Sequence, residues 1–228
     1  MSTSAPGPRV TGLETEFGVL CAPAGPQDAV KADLPDVERA AALIFRHRPT
    51  GYRSTNLFLP NGGRLYLDIG AHPEYATAEC VSVRDLVAQD QAGRAILVAM
   101  AKRAAESLAQ EGAAVRFHLL ANNTDSAGHT YGCHESYSVP RSLLDATDDA
   151  SAASSETTMA VLTSFLATRP VLVGSGRPLA GGPTESNDGS SGAGEEDAWG
   201  LSPRAPHLQA LTSADTTGQR ALVNTRDE

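Results

Sequence analysis

Polar and apolar side chains alternate along two segments near the start of the chain, as they do in strands that bury one face. In the first segment, residues 9–21, alternation puts Glu14 and Glu16 on the same face. In the second, residues 64–69, it puts three polar side chains on one face: Arg64, Tyr66 and Asp68. The pattern therefore predicts two strands, each with acidic groups on a polar face.

Periodicity along the rest of the chain predicts a mixture of helices and strands. Helical spacing covers residues 36–47, 83–110 and 157–168. The second helix is the longest, and Gly93 inside it is expected to weaken or bend it. Strand-like runs cover six further segments: residues 56–59, 75–80, 114–120, 131–139, 171–174 and 220–228. Residues 180–200 hold mainly Gly, Ser, Asn, Asp and Glu, so we expect a flexible insertion that cannot bury enough apolar surface to order itself.

Composition and charge narrow the class of protein. The chain has 228 residues, enough for one large domain or two small ones. Its formal net charge is -9 and no extended cluster of Lys and Arg is visible, which argues against a nucleic-acid partner. No apolar run approaches the length of a membrane span, and the first residues lack the blocks of a signal peptide. Three widely spaced cysteines suit a reducing compartment, so we expect a cytoplasmic protein without a membrane partner.

Residues 61–80 concentrate carboxylates, an Arg, a His and tyrosines between glycine-bounded turns. Like-charged carboxylates on adjacent strands repel each other, so Asp68 together with Glu14 and Glu16 indicates a neutralising cation. An alternative stays open here, because an alternating strand is ordinarily half solvated and a single carboxylate is more often a surface charge. The combination with the turns and Tyr66 favours a site that holds Mg2+ through oxygen ligands, with a nucleotide phosphate as co-ligand.

A second polar segment, residues 122–135, contains two Asn, two Gly and several small residues. Its amides and backbone N–H groups are suited to hold a phosphate or a carboxylate, although it lacks the Gly-Lys-Ser or Gly-Lys-Thr ending of a P-loop. An ordinary hairpin loop explains the same composition equally well. His134 and Glu135 are candidates to line the same cleft, and His72 is expected only to stabilise its turn.

Five strings of residues resemble one protein family. They are Gly-Leu-Glu-Thr-Glu-Phe-Gly (12–18), Arg-Leu-Tyr-Leu-Asp-Ile-Gly-Ala-His-Pro-Glu-Tyr-Ala-Thr-Ala-Glu-Cys (64–80), Asn-Asn-Thr-Asp-Ser-Ala-Gly (122–128), Tyr-Gly-Cys-His-Glu-Ser-Tyr (131–137) and Asn-Thr-Arg-Asp-Glu (224–228). These strings are similar to the Pup-protein ligase family, proteasome accessory factor A, whose close relative is the depupylase, deamidase of Pup. The short gap between Glu16 and Arg64 resembles the ligase more than the depupylase.

The resemblance implies a fold of the α+β class, related to that of glutamine synthetase and other carboxylate-amine ligases. A curved, mainly antiparallel sheet with helices on one face would cradle ATP and metal. The resemblance covers nearly all of this chain and about the first half of a full family member. Residues 1–228 are therefore expected to form the N-terminal portion of the catalytic domain, with a fold that is incomplete at the C-terminus.

The resemblance also implies roles for six residues. The Mg2+ ligands would be Glu14, Tyr66 and Glu74, the ATP contacts would be Arg64 and Thr77, and the catalytic base would be Asp68. Glu74 and Thr77 have opposite strand parity, so both reach one site only if the chain bends or bulges between them.

The reaction implied by the resemblance is ATP-dependent ligation of the C-terminal glutamate of Pup, a small disordered modifier protein, to lysine side chains of target proteins. This modification tags the targets for the proteasome. The glutamate would attack the γ-phosphate of ATP to give an acyl phosphate, and Asp68 would take a proton from the attacking amine. Two alternatives are another enzyme, namely a depupylase or a small-molecule carboxylate-amine ligase, and a non-catalytic protein that keeps the sheet and only binds.

Overall fold

The computed structural model describes residues 9–26, 34–49, 51, 53–121, 131–140, 149–174, 176–179, 198–214 and 220–225. The chain divides into two compact units, Met1–Val139 and Pro140–Glu228. The predicted insertion over 180–200 lies outside the described residues except for its last three positions. Within the described residues, no helix has both the length and the apolar character needed to cross a membrane.

The first unit contains seven strands and two helices among its described residues. They are β1 (Thr11–Glu16), β2 (Gly18–Pro23), α1 (Val37–Arg46), β3 (Asn56–Phe58), β4 (Arg64–Asp68), β5 (His72–Ala76), α2 (Val83–Gln110), β6 (Val115–Leu120) and β7 (Cys133–Tyr137). Five of the strands form an antiparallel sheet in the order β3-β4-β5-β1-β7, and β2 pairs with β6 in a separate antiparallel ladder. The mixture of helices and antiparallel sheet confirms the predicted α+β class.

Strand β5 lies between the two strands whose polar faces the sequence predicted. Our expectation that β1 and β4 are neighbours is therefore wrong. The central strand adds a carboxylate between them, because Glu74 stands opposite Glu16 on one side and opposite Tyr66 on the other. The polar face thus runs continuously across three strands.

The single strand predicted over residues 9–21 is broken at Phe17. This residue is 4% exposed, and its backbone N–H donates to the carbonyl of Pro73 at 2.9 Å. At the next position a Cβ on Gly18 would lie 2.9 Å from the ring of Tyr131, so the absence of a side chain permits that contact. After the break the chain leaves the first sheet and pairs with β6.

Strand β5 ends earlier than the predicted strand over 75–80. The backbone N–H of Thr77 donates to the Leu13 carbonyl at 2.8 Å, but the Leu13 N–H donates to the Thr77 hydroxyl at 3.0 Å. The Thr77 side chain thus replaces its own carbonyl in the ladder, which ends regular pairing with β1. Contact resumes only at an isolated bridge between Thr11 and Cys80.

Helix α2 has the bounds predicted from the sequence and packs against the face of the sheet opposite the polar one. A Cβ on Gly93 would lie 2.2 Å from the ring of Tyr75, which is 2% exposed on β5. Gly93 therefore serves close packing of helix on sheet. Helix α1, predicted over 36–47, begins after Asp36, whose side chain accepts a hydrogen bond from Arg39 N at 2.8 Å.

The second unit contains shorter elements. They are α3 (Asp149–Thr168), α4 (Pro170–Val173), β8 (Arg177–Leu179), β9 (Ala198–Gly200), a 3-10 helix (Ala205–His207), β10 (Ala210–Ser213) and β11 (Ala221–Asn224). The predicted strand over 171–174 is wrong, because residues 170–173 form a helix. Pro170 is favourable at its first position, where a backbone N–H has no partner within the helix. Helix α3 begins before the predicted residue 157.

Candidate functional site

Three of the predicted site residues converge on the polar face of the first sheet. Glu14 comes from β1, Tyr66 from β4 and Glu74 from β5. The Tyr66 hydroxyl donates to Oε1 of Glu14. Strand alternation brings these groups together because β4, β5 and β1 are neighbours in the sheet with side chains in register.

His134 joins this group from the edge strand β7. It stands opposite Glu14 in the ladder, and its Nδ1 lies 3.1 Å from Oε2 of Glu14. One ligand atom each from Glu14, Glu74 and His134 lie within 4.8 Å of one another. Sequence reasoning suggested only that His134 lines a cleft, since the pairing of β7 with β1 is a long-range contact that alternation cannot reveal.

The electrostatics of this cluster show an excess of negative charge. Glu74 is 4% exposed, and burial together with the nearby charge of Glu14 raises its pKa to about 7, although hydrogen bonding with Tyr66 opposes the change. Burial and the hydrogen bond to Glu14 raise the pKa of Tyr66, so the phenol stays protonated. Hydrogen bonding with His134 lowers the pKa of Glu14 against the opposing effect of burial.

The donor set of the cluster fits a hard divalent cation. Carboxylate and phenolic oxygens are ligands of the kind that Mg2+ accepts, whereas the imidazole of His134 is more typical of transition metals. A cation would also relieve the repulsion that raises the pKa of Glu74. The residues present therefore fit the Mg2+ expected from the sequence.

Arg64 and Asp68 lie on the same face as Tyr66, as alternation predicts. The guanidinium carbon of Arg64 is 4.2 Å from the ring centroid of Tyr66. Asp68 is exposed and stands opposite His72 in the ladder, and its charge contributes to the raised pKa of Glu74. The face thus presents a cation and an exposed carboxylate on either side of Tyr66.

Thr77 follows the last residue of β5, and its hydroxyl lies 3.7 Å from the Cβ position of Gly12, which shares a face of β1 with Glu14. The Thr77 hydroxyl accepts the backbone hydrogen bond from Leu13 described above, at the end of β5. Regular pairing of β5 with β1 stops at Ala76, between Glu74 and Thr77, where the sequence called for a bend or bulge. The role of Thr77 as an ATP contact stays a prediction.

Glu16 is held by groups from two neighbouring segments. Its Oε1 lies 2.5 Å from Nδ1 of His72, and its Oε2 accepts a hydrogen bond from the backbone N–H of Gly132 at 2.5 Å. The ring of Tyr131 packs edge-on against His72, with 4.7 Å between centroids. His72 therefore does more than stabilise its turn, because it links β1, β5 and the segment before β7.

The predicted anion-binding loop over 122–135 is described only from residue 131 onward. Its residues 122–130 lie outside the described part of the chain. The described end supplies Gly132 to Glu16 and His134 to Glu14. The phosphate or carboxylate contacts expected for this loop remain a prediction.

The second unit contains a group of basic side chains that sequence reasoning missed: Arg177, Arg204, Arg220 and His207. Burial and the charges of the three arginines lower the pKa of His207. The ring is therefore neutral at neutral pH, and the arginines supply the local positive charge. The three arginines are far apart along the chain and only His207 is near one of them, Arg204, so no run of basic residues reveals the group in an acidic sequence.

Comparison with known sequences identifies one family. The family described as Pup-ligase protein matches residues 9–228 of this chain. The Pup--protein ligase of Sanguibacter keddieii is 42% identical over 225 residues, which cover 96% of this chain and 42% of that protein. The Pup--protein ligase of Xylanimonas cellulosilytica is 44% identical over 220 residues, again covering 96% of this chain and 42% of the relative. This chain thus spans less than half the length of these relatives.

Two solved structures share the fold. The complex between Pup and its ligase PafA superimposes with a TM-score of 0.65 and 34% identity, covering 88% of this chain and 35% of the solved one. The Pup ligase PafA in complex with ADP gives a TM-score of 0.57 and 40% identity, covering 78% of this chain and 34% of the solved one. The resemblance found in the sequence motifs is confirmed, and the chain belongs to the Pup-ligase protein family.

Proposed function

We propose that the polar face of β1, β4 and β5 binds Mg2+ and ATP for the ligation of Pup to lysine side chains. The observation that carries this proposal is the convergence of Glu14, Tyr66 and Glu74 beside Arg64. Two relatives of known structure support it, since one was solved with ADP and the other with Pup.

The metal ligands we propose are Glu14, Tyr66 and Glu74, with His134 adjoining them. When bound, Mg2+ supplies positive charge that neutralises phosphate oxygens and the carboxylates around it. Tyr66 keeps its proton through burial and its bond to Glu14, so it offers a neutral oxygen. Glu74 carries the charge that the metal would stabilise most, because its pKa is already raised to about 7.

The nucleotide contacts we propose are Arg64 and Thr77. The Arg64 guanidinium is the positive side chain beside the cluster, and a guanidinium suits phosphate oxygens because it offers two parallel donors. The Thr77 hydroxyl can donate to the nucleotide while it still accepts from the Leu13 N–H. Otherwise it must give up the hydrogen bond from Leu13 before it contacts the nucleotide.

Asp68 is the catalytic base in this proposal. A carboxylate oxygen of the C-terminal glutamate of Pup forms a bond to the γ-phosphorus of ATP, and ADP leaves. The lysine nitrogen then attacks the acyl carbon, phosphate leaves and the proton of the amine passes to the Asp68 carboxylate. A base is needed because a lysine amine has a pKa of about 10.4 and is mostly protonated at neutral pH. Asp68 is exposed, so an incoming amine can reach it.

Other functions fit the same face, and the names of the relatives favour one of them. A depupylase or a small-molecule carboxylate-amine ligase would use similar metal and nucleotide contacts. The similar curated proteins are named Pup--protein ligases, which favours ligation. Pup and lysine-bearing proteins are therefore the partners we propose, with a functional link to the proteasome and a cytoplasmic location.

The first test is Mg2+-dependent nucleotide binding by the purified chain. We expect ATP to bind with Mg2+ and not with EDTA, measured by calorimetry. Glu14→Gln should weaken binding, whereas Glu106→Gln, which changes an exposed glutamate on α2, should not. The measurement is repeated with the C-terminal portion of the Sanguibacter keddieii relative added as a separate chain. Absence of Mg2+-dependent binding in both mixtures would refute the proposal.

The second test follows ligation itself. Pup ending in glutamate is incubated with ATP, Mg2+ and a lysine-bearing protein, and the conjugate is detected by a shift in mass. Asp68→Asn should abolish conjugation but keep nucleotide binding. Release of Pup from a preformed conjugate would instead indicate a depupylase. Absence of any conjugate with both chains would indicate a protein that only binds, and equal conjugation by both would contradict the role of Asp68 as the base.

A further inference from the structure

Arg64 is held by strand β3 and not by the carboxylates near it. Among the described residues it forms no ion pair with a carboxylate, although its charge contributes to the lowered pKa of Glu14. Its Nε donates to Oδ1 of Asn56 at 2.9 Å. Its guanidinium carbon lies 4.2 Å from the ring centroid of Tyr66 and 5.7 Å from that of Phe58.

These contacts fix one edge of the guanidinium and its position over the ring. The bond to Asn56 occupies Nε, and the guanidinium carbon lies over the ring of Tyr66. The two terminal nitrogens remain as the donors that form a bidentate fork with phosphate or carboxylate oxygens. Fixing an arginine before binding removes the loss of its rotamer freedom from the binding step.

The register of β3 explains why these two residues reach Arg64. Phe58 stands opposite Arg64 and Asn56 stands opposite Tyr66, so both side chains lie on the polar face. Asn56 is itself fixed, because its backbone N–H donates to Oγ of Ser54 at 3.0 Å. Phe58 is 70% exposed on an edge strand, so burial does not account for an aromatic residue there.

We propose that Asn56 and Phe58 are positioning residues, which hold the Arg64 guanidinium over Tyr66 so that its two terminal nitrogens donate to the phosphate oxygens of the nucleotide. This inference rests on the proposed nucleotide binding at this face. Strand β3 supplies none of the six residues implied by the resemblance. The inference gives this strand a role in recognising the polyphosphate.

The test compares Mg-ATP affinity by calorimetry in a set of variants. Asn56→Ala should weaken binding roughly tenfold, the size expected when a hydrogen bond to a charged group is lost. Phe58→Ala should weaken it by a factor of about two to five, as for an exposed cation–π contact. Asn56→Gln keeps an uncharged amide acceptor and should recover part of the affinity. The matched control is Thr55→Ala, an exposed residue directly before β3.

A double-mutant cycle separates positioning from a general effect on the fold. In the Arg64→Ala background, Asn56→Ala should cause no further loss, because no guanidinium remains to be positioned. Equal losses in both backgrounds, or an Asn56→Ala variant that binds like the unchanged chain, would overturn the inference and leave the proposed function intact. Failure of the unchanged chain to bind Mg-ATP, both alone and with the C-terminal portion of the relative added, would remove both.

A spectroscopic measurement reports on the contact without nucleotide. The Nε–H resonance of Arg64, assigned by its absence in Arg64→Lys, should be protected from exchange with water in the unchanged chain. Asn56→Ala should remove this protection while the backbone amide spectrum stays the same elsewhere. A resonance that exchanges rapidly in the unchanged chain would contradict the fixed guanidinium.

Discussion

Stability of the chain without metal is expected to fall as the pH rises through the range in which Glu74 loses its proton. Burial and the charge of Glu14 raise the pKa of Glu74 from 4.5 in the unfolded chain to about 7 in the folded one. The folded state therefore holds a proton that the unfolded state has already released, and folding becomes less favourable as the pH increases. The contribution is fully present below pH 4.5 and lost above about pH 7.

The size of this loss follows from the two pKa values. Each pKa unit corresponds to about 1.4 kcal/mol, so the change from 4.5 to about 7 amounts to about 3 kcal/mol. Glu74 is 4% exposed, so solvent screens the repulsion little. The pKa of Glu14 is lowered, so its contribution is lost only in more acidic solution, below pH 4.5. A comparison between pH 5 and pH 8 therefore isolates Glu74 from Glu14.

Urea denaturation in EDTA at several pH values between 5 and 8 measures this effect. Glu74→Gln removes the titrating group, so its free energy of unfolding should exceed that of the unchanged chain by up to about 3 kcal/mol at pH 8 and match it near pH 5. Glu106→Gln, at an exposed position on α2, should follow the unchanged chain at every pH. Addition of Mg2+ at pH 8 should stabilise the unchanged chain more than Glu74→Gln. Parallel pH profiles for the unchanged chain and Glu74→Gln would refute the reasoning, because they would mean that Glu74 does not titrate in this range.

Three further outcomes are expected from the first unit. Gly93→Ala should lower the free energy of unfolding, measured in urea, by about 1–3 kcal/mol, because the added Cβ would collide with the ring of Tyr75. Ala109→Ser, on the exposed side of the same helix, should change it little. Asp36→Ala should lower it by about 1 kcal/mol through loss of the α1 cap, and Asp36→Ser should restore most of this. In the native chain a thiol reagent should label Cys133 first, because the other two thiols are buried, and equal labelling of all three by mass spectrometry would contradict this burial.

Local sequence signals predicted the helices of the first unit well. Helix α2 has the predicted bounds because Ser82 caps its start, with its hydroxyl accepting from Asp85 N at 3.1 Å, and because the following residues favour helix. The failures involve contacts that these signals do not contain. The early end of β5 depends on the Thr77 hydroxyl meeting the Leu13 N–H, and the break at Phe17 depends on a second strand pair.

The candidate site shows the same division between local and long-range information. Alternation within β4 placed Arg64, Tyr66 and Asp68 on one face, because side-chain direction in a strand is a local property. The contributions of His134 and Asn56 depend on which strands pair and in what register. Register is set by the whole sheet and its core, so neither contact follows from spacing in the sequence.

The core of the first unit also explains how the crowded carboxylates are kept together. On β5, Tyr75 points toward α2 and is 2% exposed, while its neighbour Glu74 points to the polar face. Close packing of Tyr75 against Gly93 thus fixes the strand that carries Glu74. The Tyr75 hydroxyl is held as well, since it accepts from Asn61 at 2.9 Å and donates to Gln89 at 3.0 Å. Apolar packing and these hydrogen bonds stabilise a strand orientation that repulsion on the other face opposes, so the polar face is arranged for a cation before one binds.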